Sequence, residues 1–275
     1  MKNKTFLLSL VALSFAGIIF SSCEPLEPST YSESFYRIAS VQYKDGKASL
    51  LIDYTGESFI FSNFSTKADM DKFNVNDGDR VLAAMTVSAV GNMTNNKLTL
   101  DEVSKFPKKA IAESRPSDTL NYKYQFETLS LLSIQYPKIW SQGHLVNLTP
   151  TYELSSDKKK ATFHLYPMEA KNDTLIMRLF AEIPDTVSNQ NIFSEQTLLC
   201  YDISTMRNTV PNPTENAYRD SLLNLLASAG KDSITVQIFS ADTLRQIWNT
   251  SSGIKERKYF PIPRAFVSVS IPFDF

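Results

Sequence analysis

Glycine is scarce, with eight in 275 positions. That argues against a backbone loop that cradles phosphates, since such loops need several close glycines. Histidine is scarcer still, with His144 and His164 alone. Neither has a second histidine, a cysteine or a carboxylate at ligand spacing on a helix, and no H-E-x-x-H occurs. A G-x-S-x-G nucleophile elbow is also missing. There are two cysteines, Cys23 and Cys200. Charge of either sign is not in excess: 28 Lys and Arg face 29 Asp and Glu, for a net charge of -1. A nucleic-acid partner needs a basic surface, so none is expected. Carboxylates are plentiful, but a hydrolytic pair cannot be located from spacing alone. These absences leave no catalytic, metal or cofactor residue to nominate, and the chain is read as non-enzymatic.

What is present begins at the amino terminus. Lys2 and Lys4 precede an apolar run from Phe6 to Phe20. The run is shorter than the roughly 20 residues a spanning helix needs, and Ser21-Ser22-Cys23 follows at once. A basic start, a short apolar stretch and small residues before a cut describe a signal peptide over residues 1–22. Phe20-Ser21-Ser22-Cys23 resembles a relaxed bacterial lipobox, with Phe20 in place of the usual Leu. The resemblance implies a diacylglycerol on the Cys23 sulfur and an acylated α-amine. Residues 23–34 are rich in Pro and Ser, acidic and without periodicity, so they read as a lipidated tether. Glu24 and Glu27 fit either a surface-export signal or a plain solubilising linker. The expected address is the cell envelope, as an outer-membrane lipoprotein on either face. Once Cys23 is acylated no intramolecular disulfide remains. Cys200, in the apolar run Leu198-Leu199-Cys200-Tyr201, is expected to be a buried thiol within a strand.

The body reads as mainly β, in two domains. Residues 35–115 show strand patterns from Phe35 to Tyr43, from Ala48 to Tyr54 and from Ser58 to Phe61. Lys44-Asp45-Gly46-Lys47 is a hairpin turn between the first two. Thr66 to Asp69 has the form of a capping box opening a short helix that includes Met70 and Phe73. Arg80 to Val87 and a strand beginning at Lys97 complete a set of five. Five strands with a helix between the third and fourth is the order of an OB-like Greek-key barrel. A polar stretch over residues 113–121 marks the boundary. Residues 120–275 are expected to form an antiparallel β-sandwich, with strands over 131–136, 144–153, 160–166, 174–183, 197–203, 234–239 and 264–271. One helix interrupts it, with Thr214 as N-cap and Gly230 as C-cap. Its apolar face is read as Tyr218, Leu222, Leu225, Leu226 and Ala229, packed on the sheet.

Three segments then resemble one family. Asp77-Gly78-Asp79-Arg80-Val81 resembles the "DG-x-R-V" turn and strand of the NigD-like lipoproteins of Bacteroidetes. Trp140 to Leu148 resembles that family's "W-x-x-x-x-Y-L-N" stretch, with His144 at the Tyr position and Val146 as a mismatch. Leu199-Cys200-Tyr201-Asp202-Ile203 resembles its later "Y-L-S-F-D-L" strand. The resemblance spans most of the mature chain and implies an OB-like domain followed by a β-sandwich. It carries no catalytic residue over, and its name suggests an immunity role.

A further pattern is Asp, then Ser or Thr, then an apolar residue. It recurs at Asp118-Thr119, Asp173-Thr174, Asp185-Thr186, Asp220-Ser221, Asp232-Ser233 and Asp242-Thr243. The triplet resembles an O-glycosylation signal of exported Bacteroidetes proteins, which nominates Thr119, Thr174, Thr186, Ser221, Ser233 and Thr243. The competing explanation is local: Asp with Ser or Thr favours caps and strand starts. Trp140 and Trp248 could stack on sugars or pack in a core. Two functions follow. One is a binding, accessory or immunity-type factor held to the membrane by Cys23, with an envelope protein or glycan as partner. The other is a surface glycan-binding or glycan-processing lipoprotein. The oligomeric state stays open.

Overall fold

A computed structural model describes residues 30–90, 96–117, 124–132, 134–155, 160–182, 192–240, 244–248, 257–261 and 266–275. The expected signal peptide and Cys23 lie outside them. The chain is mainly β, as its alternation implies. Its first half forms one sheet of β1 (Thr30–Lys44), β2 (Lys47–Ile52), β3 (Ser58–Phe59), β4 (Arg80–Val90) and β5 (Asn96–Phe106), in the order β3-β2-β1-β4-β5. Asp45 and Gly46 both have positive φ, as a two-residue turn between twisted strands requires. Alternation in β2 turns Ala48, Leu50 and Ile52 inward, where they meet Val41, Val81, Met85 and Leu100.

Helix α1 (Lys67–Lys72) follows β3, as expected. Thr66 accepts from the Asp69 amide at 3.2 Å, and Asp69 accepts from the Thr66 amide at 3.0 Å. This closes the capping box and points Met70 into the core. The strand order is that of an OB barrel, but no ladder joins β3 to β5, and the sheet is open. A side chain bridges the gap. Ser62 N donates to Leu98 O at 3.0 Å. The Asn63 amide donates to Leu100 O at 2.8 Å and accepts from Leu100 N at 2.9 Å, copying the pairing of a strand residue.

The second half is layered and sandwich-like. Strands β6 (Lys108–Ala110), β10 (Ile139–Gln142), β11 (Leu145–Leu148) and β16 (Leu199–Asp202) form one sheet, ordered β10-β11-β16-β6. Strands β13 (Thr162–Lys171), β14 (Thr174–Glu182), β17 (Ser233–Phe239) and β20 (Phe266–Pro272) form another, ordered β13-β14-β17-β20. Strand β12 (Pro150–Ser155) lies between β15 (Ile192–Gln196) and β7 (Tyr124–Phe126). Hairpins β8 (Leu129–Leu131) with β9 (Ile134–Tyr136), and β18 (Leu244–Trp248) with β19 (Arg257–Pro261), complete the set. Val146, Leu148 and Tyr201 of the first of these sheets share one core with Leu165, Leu175, Met177, Val236 and Ile238 of the second.

Several local expectations are corrected. Strand β1 begins at Thr30, opposite Val90, within the stretch read as tether. Strand β6 already pairs with β16, so the chain joins the second half's sheets before the polar boundary stretch. The sandwich is not wholly antiparallel: β14 and β17 run parallel, as do β16 and β6. Helix α2 (Pro213–Ser228) lies on the path from β14 to β17, and parallel neighbours need such a crossover. Its N-cap is Asn212, which accepts from Thr214 N at 3.0 Å and leaves Pro213 at the first turn, where a missing N–H costs nothing. Its buried stripe is Arg219, Leu222, Leu223 and Leu226, while Leu225 is 52% exposed.

Candidate functional site

The three segments that carry the family resemblance meet at one place, the junction between the halves. Arg80 opens β4, Trp140 lies in β10, Asn147 in β11 and Cys200 in β16. All four are buried. They surround Asp53, which ends β2's apolar run and is itself fully buried. Tyr54 follows with φ 69°, a left-handed turn that carries its own ring outward and leaves Asp53 facing in.

The guanidinium of Arg80 and the carboxylate of Asp53 form a two-pronged pair. Arg80 Nη1 donates to Asp53 Oδ1 at 2.7 Å and to Ser40 Oγ at 2.8 Å. Its Nη2 donates to Asp53 Oδ2 and, at 3.1 Å, to Asn147 Oδ1. Asp53 Oδ2 also accepts from Trp140 Nε1 at 2.7 Å and from Asn147 Nδ2 at 3.3 Å. Phe106 lies 5.4 Å below the guanidinium. An arginine side chain has five N–H donors, and four are used here, with Nε the orphan. Burial alone would pull the Arg80 pKa down, but the bonds and charge of Asp53 reverse that and raise it. The guanidinium therefore stays charged. The Cys200 thiol sits beside it and is pushed up to about 11, with burial as the main cause.

An apolar ring closes the junction. Ile38 of β1 packs with Tyr136 and Trp140, flanked by Leu82, Phe106, Leu129, Leu131 and Ile134. Tyr136 OH accepts from Ile38 N at 3.0 Å. Chemically, this arrangement orients and holds. A fully buried carboxylate that accepts four bonds, three of them at Oδ2, is held by its partners and shut off from solvent. A buried thiol with a raised pKa is a weak nucleophile.

The remaining nominated residues are scattered. Cys23, Thr119, Thr186 and Thr243 lie outside the described residues, as does the Trp248 side chain. Thr174 opens β14, half-buried; Ser233 opens β17 and Ser221 lies in α2, both exposed. Thr174 Oγ1 contacts Asp173 Oδ1 at 3.4 Å, and Ser221 Oγ donates to Tyr218 O at 2.6 Å. The structure brings none of these together as one site. His144 sits in the β10–β11 turn beside Gly143, not within a strand. Its Nε2 pairs with Asp274 at 2.5 Å, and its ring meets Phe275 edge-on at 4.9 Å. That bond holds the Asp274 carboxyl below its ordinary value. His164 faces away from buried Phe163 and Leu165, as alternation implies, and lies 3.9 Å from Glu182. Among the described residues no group of His, Cys, Asp and Glu is placed to hold a metal ion. Asp53, Ser40 and Tyr136 were not anticipated. The one available signal was a charged residue placed directly after Leu50-Leu51-Ile52.

No known family profile matches the chain, and no curated protein matches it. Solved structures do resemble it. An uncharacterized protein from Parabacteroides merdae shares 12% identity at TM-score 0.48, over 87% of this chain and 99% of that one. A candidate lipoprotein from Bacteroides fragilis shares 12% at TM-score 0.46, over 88% and 99%. A NigD-like immunity protein from Bacteroides caccae shares 14% at TM-score 0.40, over 85% and 92%. No helix among the described residues is long and apolar enough to cross a membrane.

Proposed function

We propose that the chain is a non-enzymatic cell-envelope lipoprotein, anchored by an acylated Cys23 in the outer membrane, whose β body acts as a binding, accessory or bacteriocin-immunity-type factor. The observation that carries this reading is the commitment of the reactive side chains. Asp53 and Arg80 are paired to one another on two prongs, and Cys200 is buried with its thiol pushed up. Chemistry-bearing residues that the motifs gather are spent on holding the halves together. Glycan capture loses one of its two tryptophans, because Trp140 is buried and donates to Asp53.

The test has two arms. Palmitate labelling and membrane fractionation should show the wild type acylated and sedimenting, with Cys23→Ala unlabelled and released. Deleting the gene should sensitise cells to a proteinaceous inhibitor from related strains, and the full chain should restore resistance. Unchanged sensitivity across producers removes the immunity role and leaves an accessory one. Hydrolysis of surface glycans by the purified chain, lost on replacing a single exposed carboxylate, overturns the non-enzymatic reading.

A further inference from the structure

We propose that one end of the body faces the bilayer: the tip of the first sheet, where β1 begins and β4 ends, stands at the lipid headgroups while the second half is held away. This deepens the lipoprotein reading and rests on acylation of Cys23. Six residues, 24–29, separate Cys23 from Thr30. At the extended limit of about 3.3–3.6 Å per residue, that span reaches about 25 Å. From Thr30 onward there is no slack, because β1 is laddered to β4 without a break from Thr30↔Val90 to Ser40↔Arg80.

The far end of β1 is out of that reach. Its 15 residues span about 46 Å at roughly 3.3 Å per residue, so the Asp45–Gly46 turn lies nearly two tether lengths from Thr30. The second half is attached partway along, through Tyr136 at Ile38, about 26 Å from the tip by the same rise, and through Asn147 at Arg80, which lies opposite Ser40 about 33 Å from the tip. The buried Arg80–Asp53 joint, bonded to Asn147 and Trp140, fixes its orientation there. Anchor, sheet and joint together set which way the whole body points.

The tip also has side chains suited to a headgroup layer. Tyr31 is 45% exposed, an aromatic of the kind that settles at membrane interfaces, and its hydroxyl donates to exposed Glu33 at 3.1 Å, which occupies that acid. Lys97, at the start of β5, is exposed and suits anionic phosphates. A flat arrangement is disfavoured by the sheet's outer face. Ser34 and Thr86 hydroxyls there are 2.8 Å apart, Thr86 donates to Asp101 at 2.6 Å, and Asp101 and Glu102 are exposed. That hydroxyl-rich acidic face is repelled by anionic lipid.

The experiment uses the full, natively processed chain in phosphatidylethanolamine–phosphatidylglycerol vesicles that carry a headgroup nitroxide lipid. Ser32→Cys and Lys44→Cys variants are each labelled with bimane; they lie on the same strand about 40 Å apart at roughly 3.3 Å per residue. Cys200 is buried, so the label goes to the introduced thiol. The Ser32 label should be quenched several-fold more strongly than the Lys44 label. Equal quenching in an acylated sample, or stronger quenching at Lys44, overturns the orientation alone. Mass spectrometry of the same sample reads the anchor: no acyl mass on Cys23 overturns the lipoprotein reading and the orientation with it.

Discussion

Replacing Asp53 by Asn keeps the shape of the junction and removes one charge. Arg80 is then left ionised and 1% exposed, with no carboxylate among its bonded partners. Breaking one side of a buried pair costs about 3–5 kcal/mol, because the surviving charge is stranded in a low-dielectric site. For a chain of this size each kcal/mol moves the melting midpoint by about 2–4 °C, so the expected drop is about 6–20 °C. The measurement is a thermal and urea melt of the Cys23→Ala background, followed by far-ultraviolet dichroism and by tryptophan emission. Trp140 reports on the junction directly, since its indole donates to Asp53.

A second variant separates charge from geometry. Replacing Asp53 by Leu and Arg80 by Met together removes both ions and leaves apolar groups beside the Ile38–Tyr136–Trp140 cluster. Swapping a whole buried pair for apolar residues is often neutral or stabilising, so the double variant should recover most of the loss. A cost for Asp53→Asn below about 1 kcal/mol, the size typical of an exposed pair, would falsify the buried-joint reasoning. A double variant as weak as the single one would show that Ser40, Asn147 and Trp140 need the charges to be placed at all.

Asn63→Ala should unseal the β3–β5 gap at a cost of about 1–3 kcal/mol, and hydrogen exchange at the Leu100 amide should accelerate, since both its bonds to Asn63 are lost. Leu226→Ala should cost about 2–5 kcal/mol in a urea melt, whereas Leu225→Lys should change stability by less than about 0.5 kcal/mol; equal costs would place Leu225 in the core. The Asp274 carboxyl should titrate below its ordinary value by NMR, and His144→Ala should bring the midpoint back towards about 3.9. Its folded value is depressed, so the stabilisation it contributes is present above the ordinary carboxylate range and fades as pH falls through the lowered value.

Structure is legible in the sequence wherever the physics is local. The strand at 160–166 was visible because Phe163 and Leu165 alternate with His164, and that burial pattern is present in β13. The capping box at Thr66 was visible because its bonds span three residues. The face of α2 was misread for an identifiable reason. Stripes through Leu222, Leu225 and Leu226 and through Arg219, Leu222, Leu223 and Leu226 both obey helical spacing. The true stripe contains an arginine, which hydropathy counts against it. Burial of Arg219 depends on its bond to Ala112 O, 107 residues away in the chain, and no window along the sequence contains that partner.

The same limit hid the junction, and it changes what the family resemblance means. Asp53 and Asn147 lie 94 residues apart, and Asp53 and Trp140 lie 87 apart. Each of the three motifs looked structural when taken alone, and each is; what was not legible is that they are structural together. Arg80, the pair Trp140 and Asn147, and Cys200 come from three separate motifs and meet around one carboxylate. Motifs that encode a joint preserve how two β units are set against each other, and they say nothing about which surface meets a partner. On the proposed binding role, specificity resides on exposed faces that the motifs do not touch. Tyr54 at 67% exposure, Ile60 at 55% and Leu132 at 60% are such positions. Substituting them should leave stability within about 0.5 kcal/mol, as at other exposed sites. Loss of partner binding at unchanged stability is therefore the signature that distinguishes a recognition surface from the joint that aims it.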